Sequence, residues 1–418
     1  MLIGFWMKDK ISIIGLGYVG LPLAVSLSNF YHVYGFEVSN NRIEELKKGI
    51  DKNKEISKKK ILNKNLEFIN IKDIENYVSD IFIVTVPTPV YANFKPNLTY
   101  LYNACKAISK ILEKDNLVII ESTVAPGTTE NFCINILSKF SKIPRHKVNI
   151  CFSPERANPG DSKNILSNVT KVISGNSKMS IKRAKAIYKK IVKKIHVSKS
   201  IMEAELSKII ENAQRDLNIS FMNELMRISE VYGLDYNDVL QTCKTKWNFI
   251  DFKPGLVGGH CVPVDPYYLI EDLRLRKFKS SIITNSRRFN ENFTQYIADR
   301  ISRILKNKKQ KILFLGINFK DKVLDIRNSK YLELLKILKK KYKVSLFNFN
   351  YENKIKNINL VELKDINKFD VYIIGSQNLR INALLRKIVS ITKTKKTLIS
   401  LFNNDLKLKG NNLNLINL

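Results

Sequence analysis

Short apolar runs recur through the first two hundred residues, each stopped by Gly, Pro, Ser or Thr. They are KISIIGLG at 10–17, HVYGFEV at 32–38, IFIVTVP at 81–87, LVIIEST at 117–123 and VNICFSP at 148–154. Runs of this kind, alternating with helical stretches, predict the strands of a parallel α/β sheet. The first intervening helix is expected from Tyr18 to about Phe30. From Ser200 the pattern changes. The segment 200–233 lacks Pro, has no Gly until its end, and repeats Leu206, Ile209, Ile210, Leu217, Phe221, Leu225 and Ile228 at helical spacing. It predicts one long helix or two consecutive ones, a spine between domains and a natural dimer surface. A second α/β signal starts at Lys311, with KILFLGI, KYKVSLFNF, FDVYIIGS and TLISLF as its strands. The expected organisation is α/β over 1–198, helical over 199–305 and α/β over 306–418.

Composition adds bounds. Apolar residues make up 44% of the 418, enough for an ordinary core. No apolar run approaches the roughly 18 residues a membrane span needs. The opening MLIGFWMKDK is too short for a secretory signal and lacks a small-residue cleavage site, and Met7 is an alternative start. A cytoplasmic protein with no membrane partner is the expectation. The net charge of +33 comes from 71 Lys and Arg against 38 Asp and Glu. The lysines are spread through Lys/Ile/Asn-rich text without interleaved aromatic residues, so solvated faces are expected rather than a nucleic-acid partner. Such a charge also concentrates an anionic substrate. Five cysteines stand at 105, 133, 151, 243 and 261. Their odd number and the absence of CxxC spacing support neither a disulfide framework nor a metal site.

Five motifs carry candidate chemistry. Gly15-Leu16-Gly17-Tyr18-Val19-Gly20 follows a strand and opens a helix. That context suits a pyrophosphate on a helix N-terminus, and Glu37 stands at the offset of a ribose-binding acid, which favours NAD over NADP. Val86, Pro87 and Thr88 end a second strand, and Ser122 and Thr123 a third; alone, each is ordinary turn chemistry. Ser153-Pro154-Glu155-Arg156 places a carboxylate for base or water-positioning work at a strand end, and an arginine that would meet phosphate or hold the glutamate. Lys208, Asn212 and Arg215 share one helical face, following Glu205, where a lysine and an amide would stabilise an oxyanion. Last, the segment 254–266, PGLVGGHCVPVDP, sets Cys261 on a glycine-rich loop ahead of Asp265. A thiol there is accessible, and neighbouring Lys and His groups would favour the thiolate.

Together and in this order the motifs resemble the UDP-glucose/GDP-mannose dehydrogenase family over roughly Lys10 to Leu334. Asn318-Phe319-Lys320-Asp321 and Asp325-Ile326-Arg327-Asn328-Ser329 carry the likeness into the third domain. The resemblance implies an α/β fold of two Rossmann-like doubly wound domains joined by a long-helix domain, working as a homodimer. It implies that Gly15, Gly17, Tyr18, Val19, Gly20, Glu37, Arg42, Val86, Pro87, Thr88, Ser122 and Thr123 line the NAD site. Glu155, Arg156, Ala157, Lys208, Asn212, Arg215, Phe252, Gly255, Gly258, Phe319, Lys320 and Arg327 would line the sugar-nucleotide site. Cys261, Lys208, Asn212, Glu155, Asp265 and Thr123 would be catalytic. The implied reaction takes the C6 alcohol of a UDP-sugar to the acid in two hydride transfers to NAD. Cys261 captures the aldehyde as a thiohemiacetal, Glu155 positions or activates the hydrolytic water, and Asp265 orients Lys208 or activates water.

The run Glu211-Asn212-Ala213-Gln214-Arg215-Asp216, the WNFIDFKPGLVGGHC segment and VDPYYL look most like members acting on UDP-N-acetylglucosamine or UDP-N-acetylgalactosamine for capsule or O-antigen polysaccharide. Asn97 departs from the family's usual Asp. Gly375-Ser376-Gln377-Asn378 lacks a frequent His, and the last eighty residues match poorly. Alternatives are a UDP-glucose or other nucleotide-sugar dehydrogenase, a single-oxidation hydroxyacid-type enzyme, and a homologue that binds NAD or sugar nucleotide without catalysis. Counting NADH released per substrate separates the single-oxidation and non-catalytic readings, and a panel of sugar nucleotides separates the others.

Overall fold

The computed structural model describes residues 9–157, 164–305, 307, 309–318, 326–349, 355, 357–375, 379–391, 394–402 and 413–418. The chain gathers into two compact units. The first comprises the chain up to Glu211 together with Tyr267–Lys279; the second comprises Asn212–Pro266 and Ser280–Leu418.

In the first unit eight strands form one sheet: β1 Lys10–Ile14, β2 His32–Glu37, β3 Leu66–Asn70, β4 Ile81–Val84, β5 Leu117–Ile120, β6 Asn149–Phe152, β7 Thr170–Gly175 and β8 Lys194–Val197. Their spatial order is β3-β2-β1-β4-β5-β6-β7-β8, with neighbours parallel except β6 and β7. Helices cover both faces. One core contains Val84, Leu101, Ile108, Ile120 and Phe152; the other contains Ile13, Leu23, Ile83, Ile119 and Tyr188. Burial on both faces explains why these strands read as continuous apolar runs. The order reverses between β1 and β4, and ligands of such sheets sit beyond the carboxyl ends of the strands flanking that switch point. The Gly15 turn and the Thr85–Pro89 segment lie there.

The second unit holds a six-stranded sheet in the order β11-β10-β9-β12-β13-β14, with every recorded pairing parallel. Its strands are β9 Lys311–Leu315, β10 Lys343–Phe347, β11 Asn359–Leu360, β12 Val371–Ile374, β13 Lys396–Ser400 and β14 Leu413–Asn417. The helix Ser281–Ile304 packs Phe293, Ile297 and Ile301 into its core beside Leu334 and Leu338.

Three details differ from the sequence expectation. The first helix runs from Gly20 to Leu27, shorter at both ends than 18–30. Strands β3, β7, β8, β11 and β14 are additional; their residues lack the long apolar runs of the central strands. The segment after Ser200 is one helix, Ile201–Val231, but its predicted apolar positions divide between the two sides, Ile209 being buried. Ile210, Phe221 and Ile228 are exposed, whereas Glu205, Asn212, Asp216 and Asn223 are buried. Partners make that burial tolerable. Glu205 accepts from the Gly127 and Thr129 amides, Asp216 pairs with Arg287 and Asn290, and Asn223 bonds Gly255 and Asn290. Among the described residues no helix is long and apolar enough to cross a membrane.

Candidate functional site

The Gly15–Gly20 turn is built for close approach. Gly15 adopts φ +97°, a region that favours glycine, and its amide donates to Phe36 O at 2.8 Å. A Cβ on Gly20 would lie 1.8 Å from Gly15 O, so only glycine fits; a Cβ on Gly17 would meet nothing within 4 Å, which leaves the turn open to a ligand. Thr85 clamps the turn from β4, its hydroxyl donating to Gly15 O at 2.7 Å. Glu37 at the end of β2 accepts from Leu16 N at 3.0 Å, Val38 N at 2.9 Å and Ser39 N at 3.2 Å. Three backbone donors fix the carboxylate beside the turn. Its lone pairs still suit ribose hydroxyls, and its charge opposes a 2′-phosphate. Arg42 reaches Asp51 at 2.7 Å and Leu16 O at 3.4 Å. An open glycine turn, a fixed acid and a switch-point crevice fit NAD. Ser122, expected on the cofactor, is buried and donates to Val86 O at 2.6 Å, so it ties two strand-end segments together. The Tyr268 hydroxyl donates to Thr88 O at 3.0 Å.

Glu155, just past the end of β6, is gripped on both oxygens. Oε1 accepts from the amides of Arg156, at 2.7 Å, and Ala157, while Oε2 lies 3.4 Å from Lys171 Nζ. Burial alone would raise this carboxyl. The Lys171 ammonium, the two amides and the Lys208 charge outweigh it and hold Glu155 below the usual carboxylate range. Arg156 does not present its guanidinium to this carboxylate. It forms a forked pair with Glu211, at 2.8 and 3.2 Å, and donates to Thr170 O at 3.2 Å. The Ala157 amide, expected at the substrate, is likewise committed to Glu155.

In the second unit, Asn212 donates to Asp265 Oδ2 at 2.5 Å. Cys261 is the exposed one of the five cysteines, whereas Cys105, Cys133 and Cys151 are buried. Its carbonyl accepts from Val264 N at 3.0 Å and Asp265 N at 2.8 Å, forming the turn into the helix Asp265–Leu275. The preceding loop is held twice. Asn223 exchanges hydrogen bonds with Gly255, at 2.8 and 3.1 Å. Asn328, at φ +54°, donates to Gly259 O at 2.8 Å and accepts from Gly259 N at 3.2 Å. Gly259 itself has φ +93°. Phe252 and Gly258 are partly buried, and Arg215 and Arg327 exposed. Phe319, Lys320, Asp321, Asp325 and the 376–378 segment lie outside the described residues.

Sequence reasoning missed Lys171, Glu121, Tyr188, Glu211 and Asn223. A buried lysine inside a strand has no short-range signature. Glu121 stood in a quoted motif, but only its burial sets it apart.

Turn, fixed carboxylate and switch-point crevice define an NAD-dependent oxidoreductase of the doubly wound class. A family model for the UDP-glucose/GDP-mannose dehydrogenase family, NAD binding domain, matches residues 9–192, and the same family's central-domain model matches 202–292. The chain belongs to the UDP-glucose/GDP-mannose dehydrogenase family and is an NAD-dependent nucleotide-sugar dehydrogenase. It is 37% identical over 379 residues to Protein CapL of Staphylococcus aureus, covering 87% of this chain and 89% of the relative. It is 40% identical over 342 residues to a UDP-N-acetyl-D-glucosamine 6-dehydrogenase of Pseudomonas aeruginosa, covering 79% and 81%. A solved UDP-D-ManNAc dehydrogenase from Pyrococcus horikoshii matches with TM-score 0.86 and 26% identity over 98% of both chains.

Proposed function

We propose that the protein oxidises the C6 alcohol of a UDP-N-acetylhexosamine, UDP-N-acetylglucosamine or its galacto epimer, to the uronic acid for capsule or O-antigen polysaccharide. The observation that carries this reading is Cys261. It is an exposed thiol on a loop fixed from both sides by Asn223 and Asn328, immediately before the turn that delivers Asp265. NAD, when bound, accepts the hydride. The chain's residues supply the rest. Lys208 and the Asn212 amide stabilise negative charge on the substrate oxygen. The Cys261 sulfur adds to the aldehyde as a thiohemiacetal, which retains it between the two oxidations; loss of the second hydride converts this to a thioester, and water held at Glu155 opens it, releasing the acid and the thiol. Arg215, Phe252, Gly255, Gly258, Phe319, Lys320 and Arg327 are assigned to the sugar nucleotide. The Pseudomonas relative's name supports an N-acetylglucosamine substrate, while the Pyrococcus neighbour keeps the manno epimer in the panel.

The exposed stripe of Ile210, Phe221, Ile228 and Val231 on the long helix supports a homodimer. The decisive experiment is a panel of UDP-glucose, UDP-N-acetylglucosamine, UDP-N-acetylgalactosamine, UDP-N-acetylmannosamine and GDP-mannose. Two NADH per sugar and the uronate product are expected with an N-acetylglucosamine or N-acetylgalactosamine substrate. One NADH per sugar, or preference for another donor, defeats the assignment.

A further inference from the structure

Behind Glu155 lies a charged array that the reaction scheme does not use. Lys171, on β7, has no solvent exposure at all. Its ammonium is 3.0 Å from Glu121 Oε2 and 3.4 Å from both Glu155 Oε2 and Pro154 O. It also stands 5.0 Å from the centre of the Tyr188 ring. The Tyr188 hydroxyl, from the helix Lys178–Tyr188, donates to Glu121 Oε1. Three strands and a helix therefore converge on one ammonium, with a wholly buried carboxylate on one side and Glu155, the partly open one, on the other.

A buried ammonium is costly unless its partners neutralise it. One glutamate would suffice for that, and Glu121 already supplies it with a shorter contact. A second, partly open carboxylate adds negative charge to a desolvated site, an arrangement that packing does not require. We propose that Lys171 is the positioning residue for Glu155, clamping its carboxylate from behind and setting its charge, with Glu121 competing for the same ammonium. The inference rests on the assignment of Glu155 to the hydrolytic water.

Chemically, the clamp leaves Glu155 as a fixed hydrogen-bond acceptor. Its Oε1 is occupied by the Arg156 and Ala157 amides and its Oε2 by Lys171. Such a carboxylate orients a water better than it carries a proton away. The other charge near the array is Lys208, which acts on Glu155; the Cys151 thiol near Tyr188 is pushed up to about 12 by burial and stays neutral. Burial would raise Glu121 and lower Lys171; the lysine gains from both carboxylates and is raised, while Glu121 stays raised.

The test is the pH dependence of kcat at saturating NAD and UDP-sugar. Glu121→Gln frees Lys171 to act on Glu155 alone, so the acid limb should move to lower pH. Lys171→Met with Glu121→Gln removes the fully buried pair together, so Glu121 is not left as an unpaired buried charge, while Glu155 loses its ammonium. Its acid limb should move up by about one pH unit or more, the size of effect expected on losing an opposite charge in contact. KM for the UDP-sugar should change less than kcat. Should the double variant fail to fold, as urea unfolding would reveal, Glu121→Gln still gives a signed answer. Loss of packing alone lowers kcat without moving the limb in opposite directions. Acid limbs unmoved in these variants, with Glu155→Gln inactive, overturn the clamp and leave the role of Glu155 standing. Full acid formation by Glu155→Gln overturns both.

Discussion

The Asn212 amide donates to the Asp265 carboxylate at 2.5 Å, with both side chains buried. A carboxylate can only accept, so the bond fixes the amide's orientation and leaves its second N–H for another acceptor. The sequence reading expects Asp265 to orient Lys208 or to activate water; the structure adds Asn212 as a partner of this carboxylate. Asp265→Asn keeps the shape but lets the amide turn over. We expect kcat to fall about 10²-fold, the scale of a lost oxyanion donor, with KM for the UDP-sugar changing less. Steady-state NADH release measures it, and an unchanged kcat would remove Asp265 from catalysis.

Cys261→Ala and Cys261→Ser should abolish acid formation, with a loss of about 10³-fold or more in the second oxidation. Product analysis should find aldehyde or unreacted alcohol, never the uronate at a normal rate. In the unmodified protein, brief iodoacetamide treatment should label Cys261 ahead of Cys105, Cys133 and Cys151, because those three are buried. Labelling in the reverse order would contradict the accessibility on which the nucleophile assignment stands.

Glu205 joins the long helix to the segment after β5, accepting from Gly127 N at 2.5 Å and Thr129 N at 2.8 Å. Burial pushes its carboxyl up to about 7, although the Thr129 and Gly127 amides pull the other way. The native state therefore keeps this proton where the unfolded chain releases it near 4.5. Its contribution to stability is full below the unfolded value and is lost as pH rises through about 7. The difference is on the order of 3 kcal/mol. Urea unfolding at several pH values should show that fall, flattened in Glu205→Gln. An identical pH profile for the two proteins would refute the shift.

Much of the fold was legible because doubly wound sheets bury their strands on both faces, and β1, β2, β4, β5 and β6 were apparent as apolar runs. β7 was not, because Lys171 interrupts it with a charge whose neutralising partners, Glu121 and Glu155, lie at other strand ends, outside any local window. The long helix misled for a related reason. Periodicity reports apolar residues, and here the buried face carries Glu205, Asn212, Asp216 and Asn223, each satisfied by a partner remote in sequence. The glycine turn, Glu37 and the Cys261 loop were readable because their chemistry lies within a few residues or at a fixed offset. The Arg156–Glu211 pair and the Asn328 hold on Gly259 were not, since each depends on tertiary placement.

Asp216 and Arg287 make the most testable of those hidden pairings. Both side chains are about 1% exposed and hydrogen-bonded to each other, and Asn290 adds a bond to Asp216 at 2.8 Å. Arg287 continues to Glu291 at 3.2 Å, and Glu291 to Lys330 at 2.5 Å. Burial raises the Asp216 carboxyl while Arg287 opposes it, so removing the arginine strands a carboxylate in a dry setting. Arg287→Met should cost about 3–5 kcal/mol, read as a lower urea midpoint with little change in slope. Arg287→Met with Asp216→Leu should recover a large part of that loss, because no buried charge is then left without its partner. If the double variant is as unstable as the single one, the pair contributes through packing rather than charge.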